Sequence, residues 1–188
     1  MTPPTPHARP PRVYLTGFMG CGKSTVGPIL ANTLGYAYVD LDSAIESRSG
    51  KSIASLFGDS GEEEFRRIEQ DVFRTVSAPS RIVVSLGGGA LTDQATLAHA
   101  RATGVLVYLQ ASIDDIVIRL RRKTDRPLLL SPNGEPLSDR AFRERVRALL
   151  AEREPVYRTA DIIVDTAGSK LGLTVDHIAR DLLPLLPR

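Results

Sequence analysis

Gly17, Gly22, Lys23 and Ser24 stand at the spacing G-x-x-x-x-G-K-S within GFMGCGKST (residues 17–25), directly after the apolar run RVYLT. That pattern suits an anion. Glycines let the backbone close around phosphate oxygens, and the start of a following helix offers unpaired N–H groups with a positive partial charge. A lysine at this spacing reaches the β- and γ-phosphates, and the hydroxyl after it ligates Mg²⁺. Gly20, Cys21, Gly22, Lys23, Ser24 and Thr25 are therefore expected to hold the phosphates of a nucleotide, with Ser24 on the metal. Cys21 fills a position the motif leaves open and reads as a small tolerated side chain rather than a redox group. Two imitations fail. GKS recurs at Gly50–Ser52, but Ile45 stands where the first glycine is needed; DTAG (165–168) imitates a GTPase switch, yet no N-K-x-D guanine reader follows it.

Other residues suggest a receiver for the phosphate. VDLD (39–42) puts Asp40 and Asp42 at the end of an apolar run, where carboxylates serve either as ligands or as helix caps, Asp42 for the segment beginning SAIE. SLGGGAL (85–91) carries three successive glycines, which fit a backbone that something must approach closely, or a plain flexible turn. FRRIE (65–69) and REPVY (153–157) supply arginines that in isolation would be solvated helix faces.

Positioning these groups requires a scaffold, and the hydropathy pattern describes one. RVYLT (12–16), YAYVD (36–40), RIVVSL (81–86), VLVYLQ (105–110) and DIIVD (161–165) alternate with longer amphipathic stretches. Strands apolar on both faces and separated by helices form a parallel sheet covered on both sides, a three-layer α/β fold with five strands. Helices are predicted over residues 25–34 and 60–76, the second with Phe65, Ile68, Val72 and Val76 on its core face and Glu62, Glu63, Glu64, Arg67 and Glu69 mostly elsewhere. KTDRPLLLSPNGEPLS (123–138) lacks periodicity and is a candidate lid.

The 188 residues suit one domain over 12–188 preceded by a Pro-rich tail over 1–11, in which Pro3 and Pro6 form a P-x-x-P spacing. That tail lacks the apolar centre of a secretory signal. A net charge of +2 is too mild to imply a nucleic-acid partner, and no apolar run is long enough to cross a membrane. The single cysteine and the lack of a Cys/His cluster fit a reducing cytoplasm and offer no zinc site. No apolar helix stripe is left over, so a monomer is expected.

Taken together, GFMGCGKST, DLDSAIE, SIASLF, GEEEFRRIE, SLGGGA, DRPLL and REPVYR, in that order across about residues 12–158, resemble the shikimate kinases. The resemblance implies a P-loop fold of the nucleotide-monophosphate-kinase type, with sheet order 2-3-1-4-5, a helical substrate-binding region and a lid. It implies MgATP as phosphoryl donor and the 3-hydroxyl of shikimate as acceptor. By the same resemblance Asp42 holds the acceptor hydroxyls, while Arg66, Arg153 and the backbone of Gly87, Gly88 and Gly89 hold the carboxylate. Phe57 and Phe65 wall the ring, Asp40 stands behind the Mg²⁺ waters, Arg119 lies against adenine, and Arg126 crosses from the lid to the phosphates. Lys23, Asp42 and Arg126 would form the catalytic set. The phosphate cradle and D-x-D alone would equally serve a gluconate-type small-molecule kinase, or a regulatory module that binds ATP without transferring phosphate.

Pro28 departs from this pattern. It lies inside the helix after the cradle, where it removes the N–H that would bond the Ser24 carbonyl, and a kink is expected. Its cost is up to about 3 kcal/mol. Pro28→Ala is expected to raise the melting temperature in a thermal scan; an unchanged or lower value would contradict this reading.

Overall fold

A computed structural model describes residues 11–121, 137–168 and 170–186. Most of the expected tail, most of the candidate lid and Arg126 lie outside the described residues. Five strands, β1 (Arg12–Thr16), β2 (Ala37–Asp40), β3 (Ile82–Ser85), β4 (Val105–Gln110) and β5 (Ile162–Asp165), form one parallel sheet in the order β2-β3-β1-β4-β5. The register carries Val13 of β1 opposite Val83 of β3 and Val105 of β4, so the middle of the sheet is aliphatic on both sides.

Strand alternation divides the core in two. Val13, Leu15 and Val83 turn toward a cluster completed by Val26 and Leu30 of α1 (Lys23–Leu34) and by Val175 and Ile178 of α7 (Leu171–Leu182). Tyr14, Ile82 and Val84 turn the other way, toward α2 (Leu41–Ser49), α3 (Ile53–Val76) and α4 (Gln94–Thr103). α5 (Ile113–Arg121) and α6 (Asp139–Tyr157) pack against each other, joined by the Arg121–Asp139 and Arg143–Asp114 ion pairs. α1 runs through Pro28 to a left-handed cap at Gly35.

Three local departures from the sequence reading have clear causes. Asp40, not Asp42, caps α2, because its side chain accepts from Ser43 N at 3.1 Å and the helix begins one residue later, at Leu41. The helix expected from residue 60 is joined to an earlier one: α3 starts at Ile53, capped by Ser52, and Gly61 breaks it with φ 77° and ψ 174°. Gly50 and Ser52 of the second GKS are thus the C-cap of α2 and the N-cap of α3. Glu69, expected off the apolar face, is 2% exposed.

Candidate active site

The carboxyl ends of β1, β2 and β3 bring the chemistry-bearing segments to one edge of the sheet, where open α/β folds place ligands. After β1 the chain wraps into α1 through Gly22, whose φ of 109° is a left-handed cap conformation that side chains disfavour. The first turn of α1 contains no acidic residue, so its positive end is left for an anion. Lys23 Nζ donates to the carbonyls of Gly17 at 2.7 Å and Phe18 at 3.2 Å, which holds the ammonium over the loop. Ser24 and Thr25 are exposed beside it, while Cys21 is buried with its Sγ 3.8 Å from Lys23 Nζ.

A cavity of about 230 Å³ opens next to this loop, lined by Cys21, Gly22, Thr25 and Val26, by Arg119 of α5, by Thr166 after β5 and by Leu171 and Thr174 of α7. Arg119 Nη1 donates to the Gly20 carbonyl at 3.1 Å, which fixes the guanidinium across the loop. Thr166 Oγ1 donates to Gln110 O at 2.9 Å and stands 3.5 Å from Cys21 O, so the segment after the fifth strand closes the cavity's far side. The sequence dismissed DTAG as a GTPase switch; its threonine has instead a place in the wall of this cavity.

On the other side of the loop lies the glycine turn that follows β3. Its crowding shows what has gathered there. A Cβ at Gly87 would stand 2.7 Å from Asp42 Oδ1, one at Gly89 would stand 2.9 Å from Arg66 Nη2, and one at Gly88 would stand 3.5 Å from Arg153 Nη1 and 3.6 Å from Met19 N of the phosphate loop. Asp42, Arg66, Arg153 and the phosphate loop therefore meet around three residues of bare backbone. Phe57 and Phe65 stack beside them with ring centroids 4.2 Å apart, Phe65 buried and Phe57 37% exposed, and the Arg66 guanidinium lies 5.4 Å from the Phe65 ring centre. Arg153 Nε is buried without a partner among the described residues. Two guanidiniums, a carboxylate and an aromatic wall can receive a small, ring-shaped, anionic molecule bearing hydroxyls.

Glu69 is the residue of this site that periodicity misassigned. It lies one turn after Arg66, and its carboxylate accepts from Arg66 Nη1 at 2.6 Å. Burial pushes its carboxyl above the ordinary value, the Arg66 charge opposes that, and the nearby Asp42 and Asp93 add to the rise. The i, i+3 spacing of Arg66 and Glu69 was the available signal. Asp40 stands at the sheet edge, with one carboxylate oxygen engaged in its cap.

The family model for shikimate kinase matches residues 19–183. A shikimate kinase of Chlorobaculum parvum is 45% identical over 170 residues, which cover 90% of this chain and 91% of the relative. A solved structure of shikimate kinase from Acinetobacter baumannii in complex with shikimate is 31% identical, with a TM-score of 0.83 over 94% of this chain and 95% of its own. That from Bacteroides thetaiotaomicron is 30% identical, with a TM-score of 0.82 over 93% of this chain and 98% of its own.

Glu69→Gln removes the charge that balances a half-buried guanidinium. It is expected to lower the unfolding free energy by about 1.5–3 kcal/mol in urea titrations; a loss below about 0.5 kcal/mol would show that Arg66 does not depend on it.

Proposed function

The chain belongs to the shikimate kinase family, and on that premise we propose how its residues divide the reaction between them. The reaction is transfer of the γ-phosphoryl group of ATP to the 3-hydroxyl of shikimate, giving shikimate 3-phosphate and ADP. The observation that carries the assignment is the convergence of Asp42, Arg66 and Arg153 on the glycine turn, with the phosphate loop alongside.

ATP lies with its phosphates in the loop of Gly20, Cys21, Gly22, Lys23, Ser24 and Thr25 and its base toward Arg119 and Thr166, in the cavity beside the loop. Lys23 exchanges its carbonyl partners for the β- and γ-phosphate oxygens, a small rearrangement because the ammonium already stands over the loop. Arg126, on the strength of the family resemblance, reaches the same oxygens.

The residues present fit a magnesium ion. Among the described residues no group of three or more His, Cys, Asp or Glu could cage a metal. Ser24 offers a hydroxyl and Asp40 retains a carboxylate oxygen beyond the one in its cap. So sparse a protein donor set suits Mg²⁺, which keeps several waters and binds phosphate oxygens. When bound, the ion neutralises charge on the β- and γ-phosphates.

Shikimate enters on the opposite side of the loop. Arg66 and Arg153 hold its carboxylate with the backbone of Gly87, Gly88 and Gly89, Phe57 and Phe65 wall its ring, and Asp42 orients the 3-hydroxyl and accepts its proton. Phosphoryl transfer of this kind depends on positioning and charge compensation more than on covalent help from the protein. We place this chemistry in the cytoplasm, where ATP is available and a lone cysteine stays reduced.

ADP release is the direct assay. With MgATP, shikimate is expected to drive turnover while gluconate, AMP and buffer do not, and Asp42→Asn is expected to lower kcat at least about 100-fold. Near-normal turnover by Asp42→Asn would remove the residue from the chemistry, and turnover with gluconate but not shikimate would overturn the acceptor.

A further inference from the structure

Tyr157 ends α6 inside the core, fully buried, with its ring 5.3 Å from that of Tyr108. A phenol hydroxyl in such a place needs a partner. It finds one in the acceptor site: the Tyr157 hydroxyl donates to the Gly88 carbonyl. The turn is pinned at its other carbonyls as well. Ala90 N donates to Gly87 O at 3.1 Å, and Thr92 donates to Gly89 O from both its N, at 3.1 Å, and its Oγ1, at 2.6 Å. Among the described residues, only the Gly88 carbonyl of these three is held by a side chain from a distant element.

The consequence follows from peptide geometry. The described chain contains no cis peptide bond, so the N–H of Gly89 points opposite the Gly88 carbonyl. Turning that carbonyl inward to Tyr157 turns the Gly89 N–H outward, on the residue against which Arg66 packs. A glycine peptide without this anchor has several orientations open to it. Tyr157 also lies one helical turn after Arg153, and the position of a Gly88 Cβ would be 3.5 Å from Arg153 Nη1 and 3.7 Å from the Tyr157 hydroxyl. Burial pushes the phenol well above its ordinary pKa, against the pull of the Arg153 charge, so the hydroxyl keeps its proton and remains a donor.

We propose that Tyr157 is a positioning residue for acceptor recognition: its hydroxyl locks the Gly88–Gly89 peptide and sits beside Arg153, so that the turn and the guanidinium meet the acceptor carboxylate as one preformed unit. This rests on the reading that the shikimate carboxylate lies between Arg66, Arg153 and the glycine turn.

Steady-state kinetics of the full chain carrying Tyr157→Phe test it. The KM for shikimate is expected to rise about tenfold, while kcat changes far less and the KM for ATP stays near the wild-type value. A role in packing alone would lower the melting temperature without moving the shikimate KM, and that result overturns the proposal. Arg153→Ala distinguishes the two levels of inference. If it too leaves the shikimate KM unchanged, the carboxylate is held elsewhere; if it raises KM while Tyr157→Phe does not, only the role of Tyr157 falls. Combined, the two substitutions are expected to raise KM by less than the product of their separate effects, and full multiplicativity would contradict the coupling. Should Tyr157→Phe not fold, the hydroxyl proton of Tyr157 in the wild-type chain gives a second measure. Its NMR resonance is expected to shift on adding shikimate and not on adding MgADP; an unmoved resonance overturns the proposal.

Discussion

Close approach to the backbone at Gly87, Gly88 and Gly89 is the constraint on which the rest of this molecule depends. Asp42, Arg66, Arg153 and the phosphate loop come from four different segments; Asp42 and Arg66 stand where side chains on Gly87 and Gly89 would begin, while Arg153 and Met19 of the phosphate loop meet Gly88 at ordinary contact distance. The sheet order serves that convergence. β1 lies next to β3, and β3 next to β2, so the phosphate loop, the glycine turn and the Asp40–Asp42 segment emerge side by side at one edge. Side chains at Gly87 and Gly89 would displace the Asp42 carboxylate and the Arg66 guanidinium, and small misplacements of such groups are costly to a reaction that depends on positioning.

Charge is the second organising term. ATP and shikimate are both anions, and their mutual repulsion must be offset where they meet. The chain does this locally rather than by net charge, which is only +2. Lys23 and Arg119 stand at the phosphate loop and Arg66 and Arg153 at the glycine turn, while Glu62 and Glu69 pair with Arg66. The buried Glu69 accepts from Arg66 Nη1 and so holds that guanidinium in one orientation. Arg66 and Arg119 are thus held in one orientation by partners within the chain, and on the proposed assignment this lessens the ordering required on binding.

Much of this was legible in the residues alone, for definite reasons. The phosphate loop is a local motif whose strand and helix flanks are visible in hydropathy, and all five strands carry apolar runs that a doubly covered parallel sheet demands. The strand order entered through resemblance to a family, since periodicity does not order strands. What escaped was nonlocal or depended on a single cap. The step from Asp40 to Asp42 decides which carboxylate caps α2 and which turns to the glycines, and either residue type suits either task. Glu69 is charged, so an apolar count places it outside, and only its neighbour Arg66 explains its burial. Tyr157 reads as a core aromatic until the fold sets Gly88, 69 residues earlier, against its hydroxyl. Thr166 belongs to a segment whose resemblance to a different motif concealed its position on the cavity wall.

Shikimate affinity of Gly89→Ala, measured by titration calorimetry beside ATP affinity, tests the central claim most directly. The added methyl would stand 2.9 Å from Arg66 Nη2, so the guanidinium must leave its place. Shikimate binding is expected to weaken at least about tenfold, with ATP binding unchanged because the phosphate loop is built from separate backbone. Unaltered shikimate affinity in a folded Gly89→Ala chain would contradict the claim that the bare glycine turn assembles the acceptor site.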